Sequence, residues 1–600
     1  MNPVSKRIAA LREFMEAEET DAIFISCTDP HLGEYMTDRW QVRKFITGFS
    51  GSYGSVVVTM DHAGLWTDTR YFLQAEHQLQ GSGIAMHKLR VPDSVLPEEW
   101  LIANLKPGQR IGIDITTLPV HSFREFDSKF RKAGLKLVPV PDPFETIWDD
   151  RPPLPDTPVF ELDVKYTGLS RKEKLDAIQT ELGKRGADLQ VISMPDELAW
   201  TFNLRGHDIP FTPVFSGYGL VGKVGKILFA DTGKFSETLK NQLETEGIEL
   251  HPYSRFLYHL GTLRNLKVLL DPSATNCSIF RAVEKNCVVV EGPSIIGILK
   301  SRKNPVEIQG IRNAMKKDGV ALVKFLFHLH NCLGSETMTE YTAGRKLAGF
   351  RSENEGFSGE SFPPLIGYKD HGALVHFTVN EENAYKIEAE GMLLFDSGGH
   401  YPEGTTDVTR TVVLGAVTDQ QRTDFTLALK GMIALSMAKF PFGTKGCHLD
   451  ILARRALWDQ GLNYGHGTGH GVGHFLNVHE GPMSIRQEYN PVNIEPGMVL
   501  SNEPGLYRTN QYGVRTENMM VCVEDEENEF GKFMRFETLT LCPVDLRAIK
   551  PDLLTEAEIQ WIDNYHAKVR EELLNLLPEE MKGFFLSITR NMNHQQGTVK

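Results

Sequence analysis

The segment Gly465–Pro482, GHGTGHGVGHFLNVHEGP, limits the possible fold more than any other stretch of the chain. Its histidines, His466, His470, His474 and His479, start at the four-residue spacing that puts two rings on one face of a zinc-binding helix. Gly465, Gly467, Gly469, Gly471 and Gly473 exclude that helix, because each interior glycine costs about 1 kcal/mol relative to alanine. A strand or loop is therefore expected. At the two-residue period of a strand, His466, His470 and His474 share one side. The glycines on the other side let backbone or ligand come close. The same alternation sends His474 and His479 to opposite sides, so a sharp bend or bulge is expected between them. A tight site that needs imidazoles explains four histidines in one run better than a Gly-rich turn with incidental ones. The imidazoles alone do not say what they bind.

A chain of 600 residues is too long for one core, and three or four domains are expected. The formal charge of −14 argues against general nucleic-acid binding, which needs a basic stripe. No apolar run is long enough to span a bilayer, so no membrane partner is expected. The start, MNPVSKRIAALREF, lacks the apolar core of a signal peptide. The seven cysteines are scattered and form no CxxC pair, which reads as free thiols in a reducing compartment. These features together point to a cytoplasmic protein.

The fold class expected is α/β. In the first part, SKRIAALREFMEAEE and TRYFLQAEHQL have helical patterns, and DAIFISC, GSVVVTM and AGLWTD read as strands. Asp149–Pro158, DDRPPLPDTP, suits a linker. The pattern then restarts with a capping box at Ser170 and Glu173. RKFITGFSGSYGSVVVTMDHAGLWTD and IPFTPVFSGYGLVGKVGKILFAD share an F-S-G block, small residues and an apolar strand ending in Asp68 or Asp231. That echo suggests a duplicated α/β domain. A further boundary falls near Ser301, with Pro305 at a first helical turn and apolar stripes on two helices or one long one. From about Pro551, a capping box at Thr555 and Glu558 opens an amphipathic tail helix. The expected division is 1–150, 151–303, 304–545 and 546–600, the last a helical extension packed on the third.

Two ribbons of the third domain carry acids where acids are awkward. Met392–Phe395 is an apolar strand running into Asp396, with a turn near Pro402–Gly404 and a return through Asp407. Met498–Leu500 leads to Glu503, the turn lies near Asn510–Gly513, and the return strand holds Glu517. Aspartate is depleted in strands, and an unpaired buried carboxylate is very costly. Any one of these acids reads as a capped turn or a surface ion pair. Four on one face would repel and raise one another's pKa, whereas two divalent cations balance four negative charges. Four carboxylates with one imidazole describe a dinuclear hydrolase site, with metals ~3.5–4 Å apart. The hard-oxygen donor set suits Mn, Co, Fe or Zn.

FDSGGHY, TTDVTRT, GHGTGHGVGHFLNVHEGP, SNEPGLY and VRTEN, in this order, resemble the motifs of the pita-bread metallopeptidases. Within them the chain is most similar to the cytosolic-type Xaa-Pro aminopeptidases, over nearly its whole length. The resemblance implies two creatinase-like N-terminal domains followed by a pita-bread catalytic domain. It implies Asp396, Asp407, His470, Glu503 and Glu517 as metal ligands, with Asp407 and Glu517 shared by both ions. His376, in GALVHF, matches the catalytic histidine, and His466 and His479 match two further active-site histidines. Arg515 matches an arginine that supports Glu517. His474 receives no role and reads as a supporting or packing residue, and His371 reads as a loop residue.

The implied activity is hydrolysis of the first peptide bond of substrates with proline in the second position. A hydroxide held by two divalent cations, Mn2+ foremost, would be the nucleophile, and Glu503 would relay its proton. Three alternatives share the fold: a prolidase limited to dipeptides, a metal-free creatinase, and a non-catalytic peptide binder that has lost its ligands. Length argues against the first, and the intact acids argue against the other two. The resemblance also implies a homodimer.

Overall fold

The computed structural model describes residues 2–592 apart from 334–336, 376 and 378, and for Leu73 the backbone alone. The chain forms two compact units, Met1–Leu162 with Leu169–Ile298, and Asp163–Gly168 with Leu299–Lys600.

The first unit contains the same sheet twice. One sheet runs Ala85–Lys88, Ala63–Thr67, Ser55–Thr59, Ala22–Ile25, Arg110–Ile113, Lys136–Pro139. The other runs Glu249–Pro252, Gly225–Ala230, Gly217–Gly222, Leu189–Ile192, Lys267–Leu270, Val288–Glu291. In each, the third strand in this order is antiparallel to both neighbours and every other junction is parallel. The echo in the sequence therefore reflects a repeated topology, and each F-S-G block lies before or at the start of that antiparallel strand. Helix Pro3–Ala17 buries Val4, Ile8, Leu11 and Met15, the stripe its spacing implies. Ser170 and Glu173 form the reciprocal cap of helix Arg171–Lys184. Residues 151–158 of the proline-dense stretch have no regular structure.

The second unit opens with one helix, Pro305–Cys332, of 28 residues. Asn304 caps it, Pro305 holds the first position and Glu307 completes the capping box. Ile311, Met315, Leu322 and Phe325 on this helix pack against Leu393, Phe395, Val408 and Val412. Those four belong to a three-stranded sheet, Leu365–Tyr368, Met392–Ser397, Val408–Val413. A six-stranded sheet runs Lys439–Pro441, Gly531–Thr538, Asn518–Asn528, Val499–Asn502, Gly469–Gly471, Glu480–Ile485. Helices Asp419–Ser436 and Gly446–Trp458 supply further core, and tail helix Glu556–Leu573 joins it. Ile562, Tyr565, Val569 and Leu573 of the tail are buried with Phe425, Leu429 and Met432. Thr555 and Glu558 form its capping box.

Candidate active site

Two interrupted ribbons bring the acids together. In the first, Met392–Ser397 pairs antiparallel with Val408–Val413, so Asp396 stands opposite Thr409. A small inner hairpin, Gly399–Tyr401 with Gly404–Thr405, makes the expected turn at Pro402 and Glu403. Asp407 immediately precedes the return strand. In the second ribbon, Val499–Asn502 pairs with Asn518–Asn528 inside the six-stranded sheet. Gly505–Arg508 and Tyr512–Arg515 continue it as a separate two-stranded arm, turning at Asn510 with φ +59°. Glu503 and Glu517 fall in the two breaks between sheet and arm. Both are thus free of ladder pairing at that point, and the Glu517 N–H donates to Thr409 O of the first ribbon at 3.1 Å.

Close packing requires glycine at two points of the histidine run, Gly469 and Gly471. Gly469–Gly471 is a short strand between Val499–Asn502 and Glu480–Ile485. A Cβ on Gly469 would lie 2.1 Å from Ser501 O, and one on Gly471 would lie 2.3 Å from Glu480 O. Larger residues would push away the backbone that carries His470. The register shifts between His470 and Gly471. Beyond them the chain turns sharply, with the Gly473 N–H donating to Asn477 O at 2.9 Å and Phe475 at φ +48°. The bend expected between His474 and His479 is this turn, and His474 is buried within it.

His470 points Nε2 at the acids, 3.4 Å from Asp407 Oδ2 and 3.6 Å from Glu503 Oε1. Its Nδ1 lies 2.8 Å from Gly471 O, which fixes the ring and leaves Nε2 as the donor to a cation. One ligand atom each from Asp407, His470 and Glu517 lies within 4.8 Å of the other two. Arg515 Nη2 donates to Asp396 Oδ2 at 2.6 Å, while the buried Asp396 Oδ1 has no hydrogen-bond partner. Burial raises the Asp396 pKa despite Arg515. Burial, with repulsion from Asp407 and Asp396, pushes Glu503 up to about 7 against the pull of His470 and Arg515. Burial and its three acidic neighbours hold Glu517 well above the ordinary carboxylate range. For His470, burial opposes the charge, but Asp407 and Glu503 outweigh it and raise the ring to about 9. A bound dication would favour the ionised form of buried carboxylates that raise one another's pKa. The orphaned Asp396 oxygen, the convergent carboxylates and the single imidazole fit a pair of divalent ions.

The other expected residues take these positions. His466 is half-buried, with Nε2 2.8 Å from the Tyr507 hydroxyl and Nδ1 2.7 Å from Gly467 O. The His479 ring stands edge-on to His470 with centroids 4.4 Å apart. Arg515 reaches Glu517 through an intermediary, as its Nε donates to Thr409 Oγ1 at 3.1 Å and that hydroxyl donates to Glu517 Oε2 at 2.9 Å. His371 lies in the turn Lys369–Ala373, bonded to Glu340 at 2.8 Å and stacked on Tyr385. His376 lies outside the described residues. Sequence reasoning missed Thr409 and Tyr507. The first had a signal, since Asp407, Thr409 and Thr411 alternate along one strand and so share a face. Tyr507 had none, because its contacts to His466 and to Arg515 Nη1, the latter at 2.7 Å, are tertiary.

Comparison with known proteins bears on this geometry. Metallopeptidase family M24 matches residues 309–524, and the C-terminal region of peptidase_M24 matches 532–591. Creatinase/Prolidase N-terminal domains match 7–147 and 150–307. A probable Xaa-Pro aminopeptidase P of Laccaria bicolor is 38% identical over 96% of this chain and 91% of its own length. The chain belongs to the Xaa-Pro aminopeptidase P family. Xaa-Pro aminopeptidase 1 of Dictyostelium discoideum is likewise 38% identical, over 96% of this chain and 94% of its own. The structure of an X-prolyl aminopeptidase from Caenorhabditis elegans, described as a cytosolic enzyme with a di-nuclear active site, superimposes with a TM-score of 0.94. It is 34% identical and the match covers 99% of this chain and all of that one. Membership makes the chain a metal-dependent aminopeptidase with two creatinase-like domains ahead of a pita-bread catalytic domain, and a prolidase reading is less well supported. Among the described residues, no helix is long and apolar enough to cross a membrane.

Proposed function

We propose that this aminopeptidase removes the first residue of peptides with proline in the second position. The observation that carries the site is the meeting of Asp407, His470 and Glu517 beside the unpartnered oxygen of Asp396. Asp396, Asp407, His470, Glu503 and Glu517 would hold two divalent ions, Mn2+ foremost, with Co2+, Zn2+ or Fe2+ able to substitute, and Asp407 and Glu517 would be the ligands common to both. When bound, such ions supply Lewis acidity and a nucleophilic water at neutral pH. Glu503 would take up a proton from the attacking water. Carboxylates of the cluster receive the free N-terminal amine, which accounts for exopeptidase action. His376 and His479 donate hydrogen bonds to the scissile carbonyl oxygen as charge develops on it. His466, tethered to Tyr507, lines the groove for the proline ring. The Xaa–Pro nitrogen carries no N–H, so recognition rests on the shape of that groove. Arg515 keeps Asp396 and, through Thr409, Glu517 in place. The domains divide at 1–150, 151–303, 304–545 and 546–600, and the enzyme works as a cytoplasmic homodimer.

A peptide panel tests the specificity. Purified Mn2+-loaded protein should release Arg from Arg-Pro-Pro and leave Arg-Ala-Pro intact. Cleavage confined to Arg-Pro would make it a prolidase, and no cleavage of any of the three would make it a peptide binder.

A further inference from the structure

A buried ionic cluster outside the acid site is built on Glu480, the residue after His479 and the strand partner of Gly471. Glu480 accepts from Lys300 Nζ at 2.6 Å through one oxygen and from Lys303 Nζ through the other. The side chains of Glu480, Lys300 and Lys303 are 0%, 3% and 1% exposed. Three fully buried charges are an expensive way to stabilise a core, since apolar side chains of the same size do it as well or better. What such a cluster provides is a fixed position for the chain that bears it.

The position that Glu480 fixes matters in two ways. Glu480 follows His479 directly and is the first residue of the strand Glu480–Ile485. Across the sheet it pairs with Gly471, the residue after His470, at the point where the register shifts. A Cβ on Gly471 would come within 2.3 Å of Glu480 O, so the two backbones are in tight contact there. Lys303 is tied down in turn, its N–H donating to Gly497 O at 2.9 Å in the turn that starts the Val499–Asn502 strand. Both lysines lie within four residues of the Asn304 cap of helix Pro305–Cys332. The cluster thus joins the start of that long helix to the strand between His479 and the bulge beside His470.

We infer that Lys300, Glu480 and Lys303 form a clamp that sets the place of His479 relative to His470, and are positioning residues for the peptidase reaction. This inference rests on the proposed function, in which His479 meets the scissile carbonyl. Misplacement of a catalytic group by about an ångström costs on the order of a hundredfold in rate. The clamp therefore governs kcat more than substrate binding.

The test is the triple variant Lys300→Met, Glu480→Gln, Lys303→Met, which removes the ionic charges together and keeps side-chain volume. Lys303→Met alone, which leaves the Lys300–Glu480 pair balanced, is the second variant. Hydrolysis of Arg-Pro-Pro, metal content and Tm are measured on the whole Mn2+-loaded enzyme. The expected result is a kcat at least tenfold lower in the triple variant and a smaller loss in the single one. KM should stay within twofold, metal content at the parent's value and Tm within a few degrees. A triple variant with kcat within twofold of the parent overturns the inference. So does a loss of kcat matched by a loss of metal or of Tm, which would make the cluster a structural support only. Activity of the parent tests the proposed function separately, so the two failures cannot be confused.

Discussion

Arg515 is the permanent cation of an acidic site, and its removal has a calculable cost. Burial alone would weaken its charge, but Tyr507, Asp396 and Glu503 outweigh that and hold it well above its ordinary pKa. The side chain is 2% exposed, so solvent screens none of its contacts. Arg515→Met keeps much of the aliphatic packing and removes the bonds to Asp396 at 2.6 Å, Tyr507 at 2.7 Å and Thr409 at 3.1 Å. All three bonds come from a charged donor, and each such bond contributes about 1.5–3 kcal/mol. Bonds made by one group are not additive, and the roughly 3–5 kcal/mol lost when one member of a buried ion pair is deleted, near the lower end of their sum, sets the scale. For a folding unit of about 300 residues, with an unfolding entropy of about 2.1 cal/mol/K per residue, that is a fall of roughly 5–8 °C in melting temperature. Scanning calorimetry of the metal-free proteins is the assay, because bound cations would mask the loss of a positive charge. Arg515→Lys, which cannot reach three partners at once, should fall between parent and Met variant. A metal-free Met variant that melts within 2 °C of the parent, or above it, would refute the reasoning, since Asp396 would then have no need of the guanidinium.

Three further outcomes are expected. Thr409→Val breaks the link from Arg515 to Glu517 and should lower Mn2+ affinity about 10–100-fold by calorimetric titration, with little change in melting temperature. Gly471→Ala places a Cβ 2.3 Å from Glu480 O and should weaken Mn2+ binding at least about tenfold by displacing His470. His566 is fully buried and accepts the Val544 N–H at 3.0 Å, and burial pulls its pKa down to about 4. The unfolded chain binds that proton near pH 6.5, so the folded state loses about 3 kcal/mol as pH falls from 6.5 to 4. His566→Gln should flatten the dependence of melting temperature on pH across that window, and an unchanged slope would show that another group is responsible.

What the sequence revealed, it revealed through local patterns. Capping boxes at Ser170 and Thr555 need only residues three apart, and both form. Asp396 and Glu503 stood out because each follows an apolar strand, Asp407 and Glu517 because each lies on the return of the same ribbon, and the glycines around His470 because they forbade a helix. Duplication showed in two short echoes because the topology repeats strand for strand. The rest depends on contacts far apart in the chain. Nothing local marks Lys300 and Lys303 as buried, and only Glu480, some 180 positions away, explains their burial. Tyr507 looks like any strand tyrosine until His466 and Arg515 are seen on either side of its hydroxyl. The breaks that release Glu503 and Glu517 from the ladder arise where the ribbon leaves one sheet for a separate arm, and no local pattern marks that change.

The central claim is that Asp396, Asp407, His470, Glu503 and Glu517 hold a pair of divalent cations on which peptide cleavage depends. Elemental analysis of dialysed protein, paired with the initial rate on Arg-Pro-Pro, addresses it most directly. The parent should retain two divalent ions per chain, lose its activity when they are stripped and regain it with Mn2+, while Asp407→Asn should hold at most one and be inactive. Stripped parent that cleaves as fast as loaded enzyme, or an Asp407→Asn variant with two ions and full activity, would contradict the account.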